Sequence, residues 1–146
     1  MRAVIQRVER ASVRVAGTEI ARIGKGILAL VAIARDDAQK DLQWMARKIV
    51  ELRIFDDPDG RLNLSLLDVH GQLLLVSQFT LYGDCRKGRR PSYSEAATPA
   101  EAQALYDTFF EMVRQLVPDA QSGQFQAVMA VELVNSGPVT LVIDSP

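Results

Sequence analysis

Ser77-Gln78-Phe79-Thr80-Leu81 places two hydroxyls and a carboxamide at the end of an apolar stretch, just ahead of Gly83-Asp84. Polar groups in such a position are either paired, as Ser and Thr often are at strand ends, or chemically active. In the active case the backbone N–H groups of Phe79 and Thr80, freed where a ladder ends, could face a developing oxyanion. Strand periodicity would put Ser77 and Phe79 on one face and Gln78 and Thr80 on the other. A serine-hydrolase triad needs an imidazole beside the hydroxyl, and His70 is the single histidine. Fully extended, the chain would hold His70 and Ser77 about 23 Å apart, so His70 reads as an exposed turn residue. Gly-x-Ser-x-Gly, Walker and Gly-x-Gly-x-x-Gly patterns are absent, and any hydrolysis must take its base from elsewhere.

A second candidate is Asn135-Ser136-Gly137-Pro138-Val139-Thr140. X-Pro bonds are cis in only about 5–6% of folded cases, so an ordinary trans turn is the default here. A cis bond would instead make the neighbouring carbonyls a pre-set pair of acceptors that could probe a ligand's stereochemistry. A third is Arg86-Lys87-Gly88-Arg89-Arg90, which reads as a solvated loop or as a phosphate contact beside the first candidate.

The elements that must position these groups follow from pattern. Residues 2–15 alternate and are rich in Val and Ile, and Gly17-Thr18 separates them from residues 19–23, which predicts a hairpin. Residues 27–34 form a continuous apolar run, as in a central strand covered on both faces. Asp36 or Asp37 is the expected cap of a helix carrying Leu42, Met45, Ala46, Ile49 and Leu52 on one face and ending near residue 53. Asp56-Asp57-Pro58-Asp59-Gly60 is a turn, residues 61–67 stay ambiguous, and a strand is expected over 72–81. Thr98-Pro99-Ala100-Glu101 opens a second helix, with Ala102, Leu105, Tyr106, Phe109, Val113 and Leu116 inward and Pro118-Asp119 at its end. Strands over 125–134 and 139–143 are expected around a turn at 135–138. The order βββ-α-β-α-ββ gives the α/β class: mixed sheets folded over each other, with two helices on one side, in one domain spanning 1–146.

Composition sets limits. With 146 residues and 48% hydrophobic content, the chain can bury about 68–70% of its unfolded surface without staples. One Cys and one His allow neither an internal disulfide nor a Cys/His zinc site, and a reducing compartment is the simplest home. Early charges and a longest apolar run of eight residues argue against a leader peptide or a membrane span. A net charge of −1 gives no global attraction for nucleic acid, so a large duplex footprint is not expected, while contact with one RNA end stays open.

Ser77-Gln78-Phe79-Thr80-Leu81 together with Asn135-Ser136-Gly137-Pro138-Val139-Thr140 resembles the paired signature of the D-aminoacyl-tRNA deacylases, also called D-tyrosyl-tRNA deacylases. The likeness extends to Met1-Arg2-Ala3-Val4-Ile5-Gln6-Arg7-Val8, to Lys87-Gly88-Arg89-Arg90-Pro91-Ser92 and to the length. It implies a cytoplasmic, cofactor-free and metal-free enzyme that hydrolyses the ester between a D-amino acid and the terminal adenosine of tRNA, with no DNA or membrane partner. It also implies a homodimer with sites at the subunit interface, each completed by a cis Gly137-Pro138 of the other subunit that rejects L-esters and admits D-esters and glycine. Arg7 would brace that element. Phe79 and Thr80 would supply N–H groups to the ester carbonyl, Ser77 and Gln78 would shape the adenosine side, and Arg86, Lys87, Arg89 and Arg90 would meet phosphates. Thr80 is alternatively a nucleophile, and Met129 either packs on the adenosine or serves the core. Gln126 stands where the family usually has Gly, and Tyr93 where Phe is common. Two other readings are a non-enzymatic RNA-end binder and a hydrolase of small D-amino acid esters or D-peptides.

Overall fold

The computed structural model describes residues 1–146. Strand β1 (Arg2–Val15) turns back through Ala16 and Gly17, both at positive φ (48° and 81°), into β2 (Thr18–Ile23). Two consecutive left-handed residues are what a tight hairpin between right-twisted strands requires. β3 (Gly26–Ala32) pairs antiparallel with the first half of β1 and parallel with β6 (Gln72–Ser77), so it lies mid-sheet as its apolar run predicts. Ile27, Ala29 and Val31 enter one core while Leu28 enters a second.

Helix α1 (Gln39–Glu51) and helix α2 (Pro99–Leu116) pack together over the larger core. Neither Asp36 nor Asp37 caps α1. Asp37 instead accepts from Ala34 N–H and pairs with the Met1 ammonium, while Asp41 reaches back to Ala38 N–H (2.9 Å) and Ala38 takes the cap position. At α2 the expected start holds: Thr98 is the N-cap, and the Glu101 carboxylate accepts from its N–H and its hydroxyl.

Short strands β4 (Phe55–Asp56) and β5 (Leu62–Leu64) form a separate ribbon across the predicted turn, and β7 (Gln121–Ser122) extends the main sheet beyond β6. The last strand, β8 (Met129–Asp144), runs antiparallel to nearly all of β1, giving a six-stranded mixed sheet. This corrects the expectation of two strands around a turn at 135–138. Gln6 pairs with Thr140 and Val8 with Asn135, so residues 136–139 leave the ladder across from Arg7, with Gly137 and Pro138 exposed and Val139 buried in the larger core, while the ladder resumes on both sides. A second bulge places Glu9 as the extra residue of β1. It shifts the alternation so that Val8, Ala11 and Val13 share the smaller core.

Candidate active site

β6 ends at Ser77, four residues earlier than its apolar pattern suggests. Gln78 N–H makes the final bond to Val31 O (2.7 Å), and residues Phe79–Tyr82 then wind into a 3-10 turn, closed by Leu81 N–H on Gln78 O and Gly83 N–H on Thr80 O. The expected alternation of side chains over 77–80 therefore does not hold. Phe79 and Thr80 open this turn, where N–H groups have no acceptor within the helix. Free donors at this point are thus present, but a helical turn creates them rather than a fraying strand. Arg2 holds the turn's far end, donating to Leu81 O (3.2 Å) with its guanidinium 5.2 Å from the Tyr82 ring centre.

The turn borders a cleft of about 940 Å³, at the large end of the range for small-molecule sites. Its walls come from Ser77, Gln78 and Phe79, from Tyr93, from the first turn of α2 at Thr98, Pro99 and Ala102, and from Phe125, Gln126, Ala127 and Met129. Phe79 and Tyr93 meet edge to face with ring centres 5.3 Å apart. Gly83 permits this, since a Cβ there would lie 3.0 Å from the Tyr93 ring. Thr80 is exposed and takes a hydrogen bond from the Gln78 carboxamide. No carboxylate, imidazole or amine lines the cleft, and His70 is exposed in the turn before β6 with φ at +49°.

Met129 packs against the smaller core and also lines the cleft. Gly123 makes room for it: a Cβ there would sit 2.7 Å from the Met129 sulfur. Gly123→Ala is expected to displace the Met129 side chain and lower the thermal midpoint by about 3 °C, checked by calorimetry; an unchanged midpoint would show that Met129 repacks without cost.

Arg7 is buried at 5% exposure. Its guanidinium donates to Ser136 O (3.2 Å), Gly137 O (2.9 Å) and Ile54 O (2.8 Å) and contacts Asp56 (3.3 Å). One side chain thus fills the bulge from behind and ties it to the segment entering β4. The Gly137–Pro138 peptide is cis, not the default trans, and both residues are exposed. Neither they nor Arg7 line the cleft of their own chain.

In the basic loop the Arg86 guanidinium forks onto Asp84 (2.8 and 2.7 Å). That pairing, with the Arg86 N–H, holds the Asp84 carboxyl down at about 2. Lys87, Arg89 and Arg90 are exposed and have no ion-pair partner. Sequence reasoning did not place Phe125 or the first turn of α2 at the site, because both carry ordinary core and capping signals.

The family model described as D-Tyr-tRNA(Tyr) deacylase matches residues 4–144. A D-aminoacyl-tRNA deacylase of Thermosipho africanus (strain TCF52B) is 54% identical over 145 residues, covering 99% of this chain and 97% of the relative. That of Fervidobacterium nodosum (strain ATCC 35602 / DSM 5306 / Rt17-B1) is 56% identical over 145 residues with the same coverage. The solved structure of a c-Myc DNA Unwinding Element Binding Protein superposes with a TM-score of 0.95 at 42% identity, covering 100% of this chain and 99% of its own. A probable eukaryotic D-amino acid tRNA deacylase gives 0.86 at 21% identity, covering 98% of each chain, and shows the shared fold. With a family match over nearly the full length and relatives above 50% identity, this chain belongs to the D-Tyr-tRNA(Tyr) deacylase family.

Proposed function

We infer that this protein hydrolyses the ester joining a D-amino acid to the terminal adenosine of tRNA, releasing both. The observation that carries the reading is the cleft itself, large enough for a nucleoside with its amino acid, mostly apolar, and bordered by a turn that presents two backbone donors. Family membership names the ester. Water attacks the ester carbonyl, the oxyanion is met by the N–H groups of Phe79 and Thr80, and the C–O bond to the ribose breaks as the leaving oxygen takes a proton. The family resemblance implies that the substrate's own 2′-hydroxyl helps activate the water, and the cleft, lined by no carboxylate, imidazole or amine, is consistent with that. Ser77 and Gln78 shape the adenosine side together with Met129.

Chirality is read by Gly137 and Pro138 of a second copy. Supporting this, both are exposed in one chain, and β8 leaves its outer edge unpaired with Leu133, Val134 and Val142 open to solvent. Arg7 holds the Gly137 carbonyl in place, and a fixed oxygen rejects an L-side chain by more than the ~1–3 kcal/mol a loose pocket can supply. Glycine, without a side chain, passes the same filter. Lys87, Arg89 and Arg90 meet acceptor-end phosphates, while Arg86 holds the loop through Asp84. An aminoacyl-tRNA substrate places the enzyme in the cytoplasm. No helix is long and apolar enough to cross a membrane.

Purified protein is expected to release D-tyrosine from D-tyrosyl-tRNA, with uncharged tRNA competing and duplex DNA not. Equal competition by duplex DNA would favour a DNA association like the one in the name of the 42%-identical structural neighbour, which a net charge of −1 does not support. Binding without release would leave an RNA-end binder. Thr80→Ala is expected to slow release by no more than about tenfold, since Thr80 contributes its backbone, whereas a loss of ~10⁴-fold or more would make its hydroxyl the nucleophile.

A further inference from the structure

Gln126 occupies a backbone conformation that its residue type disfavours. Its φ is +59°, in the left-handed region where residues other than Gly, Asn and Asp are rarely found. A local turn, with Ala127 N–H donating to Gln124 O (3.3 Å), carries it to the wall of the cleft. Glycine would adopt this geometry without a Cβ penalty, so the backbone gives no reason for a glutamine. Its neighbours on that wall, Phe125, Ala127, Met129 and Val131, are apolar. Two carboxamides line the cleft; that of Gln78 is engaged with the Thr80 hydroxyl, whereas that of the exposed Gln126, donor and acceptor at once beside these apolar side chains, suits the edge of a flat heteroaromatic ligand whose faces are packed.

Given the adenosine-terminated substrate argued above, on which this step rests, we propose that Gln126 is a specificity-determining residue reading the terminal adenine. Its Oε1 accepts from the N6 amine and its Nε2 donates to N7, the bidentate pairing that a Gln side chain makes with adenine. Hypoxanthine has an oxygen in place of the amine. It presents two acceptors along that edge, so one bond is lost and the carboxamide oxygen faces another oxygen. Discrimination between the two bases therefore depends on this one side chain.

The test uses the full chain and adenosine or inosine bearing D-tyrosine through a non-hydrolysable 3′-amide, titrated calorimetrically. Wild type is expected to bind the adenosine compound at least about tenfold more tightly than the inosine compound. Gln126→Gly is expected to bind both alike, while its thermal midpoint stays level or rises by about 3 °C as the left-handed strain is relieved. Gln126→Glu, which keeps the side-chain length but cannot donate to N7, is expected to lose the tight adenosine binding. The proposal is overturned if Gln126→Gly keeps the wild-type ratio of affinities, or if wild type shows no preference between the two compounds. Failure of the deacylase reading shows separately, as a wild type that leaves D-tyrosyl-tRNA intact while still preferring the adenosine compound.

Discussion

Arg7→Ala is expected to lower the thermal midpoint by roughly 8 °C and to reduce the preference for D- over L-tyrosyl esters by at least about tenfold. The Arg7 side chain supplies the donors that Ser136 O, Gly137 O and Ile54 O receive from a charged partner, and at 5% exposure water does not replace it freely. Hydrogen bonds to charged groups contribute about 1.5–3 kcal/mol each, and losing the set leaves about 3 kcal/mol uncompensated after relaxation. The functional loss is separable from the structural one. With the guanidinium gone, Val139 still anchors the end of the bulge in the core, but the Gly137 carbonyl loses its donor and, on the proposed reading, yields to an L-side chain. Arg7→Lys keeps the charge without the planar fork, and is expected to retain more stability than selectivity. Single-turnover hydrolysis of both esters checks this, and an Arg7→Ala protein with the wild-type D/L ratio would remove the bulge from the account of chirality.

Gly26→Ala is expected to be the most damaging single-methyl change in the chain. A Cβ at Gly26 would lie 1.8 Å from the Gln72 carbonyl oxygen and 2.7 Å from its nitrogen and carbonyl carbon. These are backbone atoms of β6, paired in parallel register with β3, and they cannot swing aside as a side chain would. Separation of β3 from β6 at this point propagates along the ladder to Ser77 and the turn beyond it. A loss above about 4 kcal/mol is expected, with activity falling alongside. Two controls bracket the effect. Gly24→Ala meets only the flexible Gln72 carboxamide at 3.3 Å, and Gly17→Ala meets open space at a positive φ. Gly24→Ala is expected to lose about 1 kcal/mol or less, and Gly17→Ala about 1–2 kcal/mol from its left-handed backbone. Denaturant midpoints of the three variants give the order, and a Gly26→Ala midpoint equal to that of Gly24→Ala would contradict it.

The same contacts explain what could be read in advance. The opening hairpin, the central β3 and the start of α2 at Thr98 were legible because local chemistry and tertiary environment agree there. The 3-10 turn was not. Phe79 and Leu81 carry the apolar character of β6 onward, and nothing local announces that ladder bonding stops with Gln78 on Val31. Asn135-Ser136-Gly137-Pro138 carries turn chemistry and does leave the ladder, yet β1 is long enough to pair with the chain on both sides, so one strand with a bulge results. Asp37 has the composition of a helix cap, but its carboxylate is held by Ala34 N–H and the Met1 ammonium. As for the site, the residues of β6 and its turn could be named from their polar types. The burial of Arg7 could not, since a charged residue in an alternating strand reads as exposed unless its partners are seen.

The most direct measurement compares first-order release of tyrosine from D-tyrosyl-tRNA and L-tyrosyl-tRNA under single-turnover conditions with wild-type protein in excess. The expected result is rapid loss of the D-ester with the L-ester decaying at its rate in buffer. Equal acceleration of both esters, or acceleration of neither, would contradict a chirally selective deacylase built on this cleft and this bulge.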